Sequence, residues 1–200
     1  MCGPGRLLRA MPGWAVGLDI SGGMVRHAAQ TNPVFRADAA RFGVREGSFD
    51  LAFNLIDSFR HLPTEQAAHD HLRCTARALK RGAVYVLGLE INGDLPADTH
   101  RDEWAIERDG HTLKGFVEGL GDASDETRSE TMRVHYEFDG VPREFFHTMR
   151  TYTRRQIEDL VDAEASFEIA AVFDRHYDLG NPIELSEVAG SAVLVLRKEA

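Results

Sequence analysis

The sequence predicts an α/β fold: an open, mostly parallel sheet with helices on both faces. Three observations carry this. Over roughly the first 90 residues short apolar runs alternate with amphipathic stretches, and strand–helix alternation means parallel strands joined by right-handed crossovers. The run Phe49-Asp50-Leu51-Ala52-Phe53-Asn54-Leu55 is nearly continuous in apolar side chains, as suits a strand covered on both faces. At 200 residues and 43% hydrophobic content, the chain can bury a core as one domain.

The chain opens on a glycine loop, Met1-Cys2-Gly3-Pro4-Gly5-Arg6-Leu7-Leu8, which runs into a short helix over residues 6–11 closed by Pro12-Gly13. Residues 14–20 are short, apolar and preceded by a breaker, and so predict a strand. Ser21 suits the N-cap of the next helix, with Met24, Val25 and Ala28 on its apolar face and Asn32-Pro33 at its end. A second strand spans residues 34–37, followed by a polar loop over 41–48. The third strand is residues 49–55. Thr64 caps the next helix, whose buried stripe continues through Leu72, Ala76 and Leu79. Lys80-Arg81-Gly82 closes it with positive charge and a glycine. Residues 83–91 predict a fourth strand. Residues 92–130 are polar and predict a solvated loop or lid. Asp139-Gly140 marks the turn of a hairpin between residues 131–138 and 143–151. A helix over 153–163 and strands over 167–173 and 191–196 complete the chain. The expected division is a cofactor-binding half (1–91), a lid and hairpin insertion (92–152), and a C-terminal helix with strands (153–200).

The net charge of −9 is spread along the chain, which argues against a nucleic-acid surface. Cys2 and Cys74 make neither a disulfide framework nor a metal-ligand spacing, and read as reduced thiols. No apolar run approaches the ~20 residues that span a bilayer, and no signal peptide is visible. A soluble cytoplasmic protein without metal, nucleic-acid or membrane partner is expected.

Ligands in open α/β sheets bind at the carboxyl ends of the strands. The alternation places Asp19, Asp38 and the stretch 54–58 on that edge, beside the glycine loop. Gly3 and Gly5 leave backbone open to a ligand. A carboxylate at a strand tip suits the two hydroxyls of a ribose. These residues together describe a site for the sugar end of a nucleoside cofactor.

At these positions the chain resembles the class I S-adenosylmethionine-dependent methyltransferases, a Rossmann-like family, in its small-molecule branch. Cys2-Gly3-Pro4-Gly5-Arg6 is similar to the later half of that family's glycine motif, and Gly17-Leu18-Asp19-Ile20-Ser21 with Met24 to its second motif. Ala37-Asp38-Ala39 resembles the third. Phe49-Asp50-Leu51-Ala52 and Asp57-Ser58-Phe59-Arg60-His61-Leu62 resemble the fourth-strand signature, and Leu79-Lys80-Arg81-Gly82-Ala83 the turn before the fifth strand. The resemblance spans roughly residues 2–90. It implies S-adenosylmethionine as cofactor. Cys2, Gly3 and Gly5 would border its methionine and ribose, and Asp19 would bind the ribose hydroxyls. Ile20 and Met24 would pack on the adenine, Asp38 and Ala39 would meet the adenine edge, and Asn54, Leu55 and Ile56 would line the floor near the sulfonium.

The chain departs from the family pattern at its start: the strand that should feed the glycine loop, and the acidic residue on it, are missing from the sequence. Two strand edges would then be left unpaired. A start lying upstream, a degenerate relative, and another segment filling the gap are the three open accounts.

On the acceptor side, Asp57 and His61 follow the third strand, where an acid or imidazole suits taking a proton from an amine or hydroxyl. Their plain alternatives are a helix-capping aspartate and a surface histidine. Arg150 suits a bidentate carboxylate clamp, and Tyr152 and His147 lie near it. The reading that follows is a methyltransferase acting on a small N- or O-nucleophile by in-line displacement, with dimerisation left open. An inactive cofactor-binding remnant and, more weakly, a nicotinamide oxidoreductase are the alternatives.

Overall fold

The computed structural model describes residues 1–91, 101–124 and 126–199. In chain order its regular elements are β1 (Gly17–Asp19), α1 (Gly22–Ala28), β2 (Val34–Arg36), β3 (Phe49–Asn54), α2 (Glu65–Ala78), β4 (Leu79–Ile91), β5 (Arg101–Arg108), β6 (His111–Gly119), β7 (Ser129–Phe138), β8 (Val141–Arg150), α3 (Arg154–Asp162), β9 (Phe167–Asp174) and β10 (Gly190–Lys198). They form three sheets. β1 and β2 make a parallel pair. A mixed sheet runs β3-β4-β10-β9, with β3 and β4 parallel and the later pairings antiparallel. β5 to β8 form an antiparallel meander.

The helices begin where their caps dictate. Ser21 Oγ accepts the Met24 N–H (3.4 Å), and Thr64 Oγ1 accepts the Ala67 N–H (3.1 Å). Thr153 and Gln156 form a reciprocal capping box. One hydrophobic core joins α2, α3 and the mixed sheet. Phe59, Leu72, Leu79, Leu194 and Leu196 lie at its centre without solvent exposure.

The α/β character is present, but among the described residues parallel pairing is confined to β1-β2 and β3-β4, and three further details differ. The helix expected over 6–11 is a single 3-10 turn, Leu8–Ala10, too short to sustain α-helical bonds. The first strand is confined to Gly17–Asp19; Trp14 is 73% exposed and stacks on Phe49 instead. The region 92–130 is not simply a solvated loop, because its described part contains β5 and β6. Residues 92–100, including His100, fall outside the described residues. The Lys80-Arg81-Gly82 turn survives inside β4 as an irregularity. The register jumps from Phe49 opposite Leu79 to Leu51 opposite Val84, and Gly82 sits at φ 71°. The Asp139-Gly140 turn joins β7 to β8 as a tight hairpin.

β1 and β3 lie at the edges of separate sheets, and a cavity of about 420 Å³ lies along them, lined by Leu8, Val16, Phe49, Asn54 and Tyr85 among others. No described helix is long and apolar enough to cross a membrane.

Candidate functional site

The glycine loop folds back onto β1 and is locked there by one carboxylate. Asp19 Oδ2 accepts the Gly3 N–H (2.8 Å) and the Met1 ammonium (2.7 Å), while Oδ1 accepts the Ser21 N–H (2.9 Å). Burial works to raise the pKa of Asp19, but these donors outweigh it and hold it below the usual carboxylate value. The loop also pairs as backbone: the Cys2 N–H donates to the Leu18 carbonyl (2.8 Å). Close approach is possible because residue 17 is glycine. A Cβ there would stand 2.5 Å from Leu8 Cδ1 and 2.8 Å from Cys2 Cβ. Gly3 (φ 54°) and Gly5 (φ 77°) both take left-handed backbone. A Cβ on Gly3 would meet nothing within 4 Å, whereas one on Gly5 would press on Ala28 of α1. Gly3 therefore borders open space and Gly5 serves packing. Half-buried Cys2 has its thiol pKa raised by burial.

β2 brings the second carboxylate alongside. The Ala37 N–H donates to the Asp19 carbonyl (3.1 Å), so Asp38 follows directly beside the end of β1. Asp38 is exposed, and its Oδ1 accepts the Ala40 N–H (2.9 Å) in an Asx-type turn. Ala39 is buried, with its carbonyl 2.9 Å from His71 Nδ1. A carbonyl can only accept, so Nδ1 carries the proton and Nε2 accepts from the Tyr85 hydroxyl (2.9 Å). Burial drives the His71 pKa down to about 4, so the ring is neutral at pH 7.

The third wall is the end of β3. Asn54 is buried and donates from Nδ2 to Met1 Sδ (3.1 Å). Leu55 follows half-buried, and then Ile56 (φ 63°) and Asp57 (φ 61°) both turn left-handed. Ile56 is 62% exposed, Ile20 63% and Met24 45%. Ile20 and Ile56 thus stand bare just past the ends of β1 and β3, and Met24 is exposed on the first turn of α1. Exposed apolar surface beside a polar tip fits a flat apolar ring with hydroxylated edges. Open space at Gly3, a carboxylate facing the loop and these apolar walls are compatible with an adenosyl group.

The acceptor side differs from expectation. Asp57 is not a free acid–base group. Its Oδ1 accepts the Glu90 N–H from β4 (2.8 Å) and its Oδ2 accepts Arg60 Nη1 (2.9 Å). Burial still raises its pKa to about 6 against the pull of Arg60. Tyr152 corrects the expectation of a substrate contact. It is fully buried against Phe59, with its hydroxyl pKa pushed up to about 12 by burial. Arg150 is also no open clamp. Its Nη2 and the Nη1 of Arg128 both donate to Glu65 Oε2 at 2.6 Å, so the two guanidiniums share one carboxylate. His61 and His147 do come together: their ring centroids are 5.2 Å apart, with His61 exposed and His147 half-buried. Burial lowers the pKa of both, and the Arg60 cation adds to the effect on each.

Sequence reasoning overlooked Arg60, Glu65, Arg128 and Glu130. Arg60 stands three residues after Asp57, and that spacing is the one signal the sequence offers for it. Glu65, Arg128 and Glu130 lie far from it in sequence, and nothing local announces their pairing. Among the described residues no three potential metal ligands cluster.

With this geometry in place, comparison with known proteins is informative. Residues 1–82 match the family described as the methyltransferase domain. No curated protein matches the chain. Solved structures do. An S-adenosylmethionine-dependent methyltransferase from Clostridium acetobutylicum is 14% identical, with all of this chain and 82% of that one covered, at a TM-score of 0.77. DesVI from Streptomyces venezuelae is 20% identical, with 96% and 80% covered, at 0.75. CalS10 from Micromonospora echinaspora, an amino pentose methyltransferase whose structure holds S-adenosylmethionine, is 18% identical, with 98% and 80% covered, at 0.72. The chain therefore has the fold of these methyltransferases, and its first 82 residues match the methyltransferase domain.

Proposed function

We propose that this protein is an S-adenosylmethionine-dependent methyltransferase acting on a nitrogen or oxygen nucleophile of a small molecule. The observation that carries the reading is the Gly3–Asp19 hydrogen bond, which holds the glycine loop, the carboxylate and the strand end as one surface. S-adenosylmethionine, when bound, supplies a methyl group activated by a sulfonium.

The chain's own residues do the rest. Asp19 and the Gly3 backbone hold the ribose side, Ile20 and Met24 cover the apolar ring, Asp38 with Ala39 meets its polar edge, and Asn54, Leu55 and Ile56 line the floor near the sulfonium. His61 and His147 face the acceptor. A protonated amine must lose its proton before its lone pair can attack, and a hydroxyl must lose one as it attacks. Both imidazoles are neutral at pH 7 because their pKa values are lowered, so either can take that proton. The lone pair so freed would be the nucleophile toward the methyl carbon, in line with the bond to sulfur, with the neutral thioether as leaving group. Alignment and exclusion of water supply the catalysis. Because CalS10 acts on an amino pentose, amine-bearing sugars are the first acceptors to try.

Titration calorimetry with S-adenosylhomocysteine and with NADH tests the reading. Binding of the first but not the second is expected. Preference for NADH would replace the methyltransferase with an oxidoreductase, and binding of neither would favour an inactive remnant. Asp19→Ala should weaken S-adenosylhomocysteine binding by about 1–3 kcal/mol, the range for hydrogen bonds to a charged group. Unchanged affinity would remove Asp19 from the site.

A further inference from the structure

We propose that Arg60 is a positioning residue that sets the His61–His147 pair by tying the end of β3 to the ends of β7 and β8. The inference rests on the methyltransferase reading of this site and adds to it a residue that touches neither cofactor nor acceptor.

The guanidinium is 3% exposed and uses all three nitrogens, each toward a different part of the chain. Nε donates to the carbonyl of Arg150, the last residue of β8 (2.7 Å). Nη1 donates to Asp57 Oδ2 (2.9 Å). Nη2 donates to Glu130 near the start of β7. Asp57 passes the tie on to β4 through the Glu90 N–H. One planar fork therefore joins the mixed sheet to the meander. The two imidazoles sit on either side of this joint. His61 is the next residue along the same 3-10 turn, Ser58–His61, and His147 is three residues before Arg150 on β8. Their separation is set by how closely that turn approaches β8, and Arg60 Nε to the Arg150 carbonyl is the bond that sets it. A lysine could keep the charge but not the three fixed directions.

Arg60 also acts on the pair at a distance. The charged groups that act on the imidazoles are Arg60, on both rings, and the Met1 ammonium, on His61, and His147 also acts on His61. Of these, Arg60 is the cation that depresses both rings.

The test compares wild type, Arg60→Lys, Glu130→Gln and Arg60→Gln by NMR of assigned histidine rings, with S-adenosylhomocysteine calorimetry on each. Wild type should show a ring-to-ring NOE between His61 and His147. Arg60→Lys should lose most of it, and Glu130→Gln, which keeps the bond from Nε to the Arg150 carbonyl, should retain it, both while binding S-adenosylhomocysteine within about threefold of wild type. The two imidazole titrations should stay near wild type in Arg60→Lys, which keeps the cation. They should rise in Arg60→Gln, which removes it. Arg60→Gln leaves two carboxylates without their cation and is expected to fold poorly, so the lysine variant decides the geometry, with Glu130→Gln as its control. An intact NOE in Arg60→Lys, or its loss in Glu130→Gln, would overturn the proposal. So would histidine midpoints that move equally in the lysine and glutamine variants. Failure of wild type to bind S-adenosylhomocysteine would instead remove the cofactor reading and leave the Arg60 joint as a structural fact.

Discussion

Ile56 illustrates how a single residue carries two opposed duties. A β-branched side chain at φ 63° is a backbone outlier, of a kind that costs about 1–3 kcal/mol. It is also largely exposed, so packing does not repay that cost. Ile56→Gly should therefore raise the free energy of unfolding by about 1 kcal/mol in a urea titration. The same change should weaken S-adenosylhomocysteine binding by about 1–2 kcal/mol, since an aliphatic wall is lost. Equal affinity in the glycine variant would show that Ile56 does not face the ligand. Residue types at strand ends announced this part of the site: Asp19, Asp38 and Ile56 all occur where the alternation of elements put a strand's carboxyl end. Tyr152 and Arg150 could not be judged that way. Whether a tyrosine is a core residue, or an arginine has its charge already met, depends on Phe59 and Glu65, some ninety residues earlier.

Gly17 shows the same interplay in the β1 element. The turn of loop over strand works only because residue 17 lacks a side chain. Gly17→Ala would drive a methyl into Leu8 and Cys2. Overpacking of this kind costs about 1–3 kcal/mol, and here the mobile partner is the loop. The expected outcome is a loss of S-adenosylhomocysteine affinity of about tenfold, with far-ultraviolet circular dichroism unchanged. Full retention of affinity would mean that the loop and the ligand are independent. Elements with one buried face were readable: α2 has Ala68, Leu72, Thr75 and Ala76 on one side and a serviceable N-cap. β5 was not readable, because nearly every residue on it is exposed. A strand wet on both faces lacks the alternation that reveals strands, and its charge makes it look like a loop.

The whole molecule has an acid sensitivity built around His71. Its pKa is ordinarily 6.5 and is about 4 in the fold, so the unfolded chain binds a proton that the folded chain refuses. The stability this provides is complete above pH 6.5 and is lost as pH falls toward 4, a loss of roughly 3 kcal/mol. Asp57 works in the opposite direction. Its raised pKa favours the folded state below 3.8, and that contribution disappears by about pH 6. Urea unfolding at pH 7 and pH 4.5 should show a net loss on acidification in wild type. In His71→Phe the loss should shrink or reverse, because only Asp57 then remains of the two. An identical pH dependence in both proteins would show that His71 is not the buried base described here.

What the order of residues determined by itself was the class of protein: strand–helix alternation, a glycine loop, and carboxylates spaced to meet at one sheet edge. These are local features, set by side-chain periodicity and backbone permissiveness within a few residues. Only the tertiary structure decided which charges are already neutralised, that Asp57 serves Arg60 and β4, and that His61 meets His147 across two sheets. Those facts depend on burial and on partners far apart in the chain, and a buried charge is defined by its surroundings more than by its own identity.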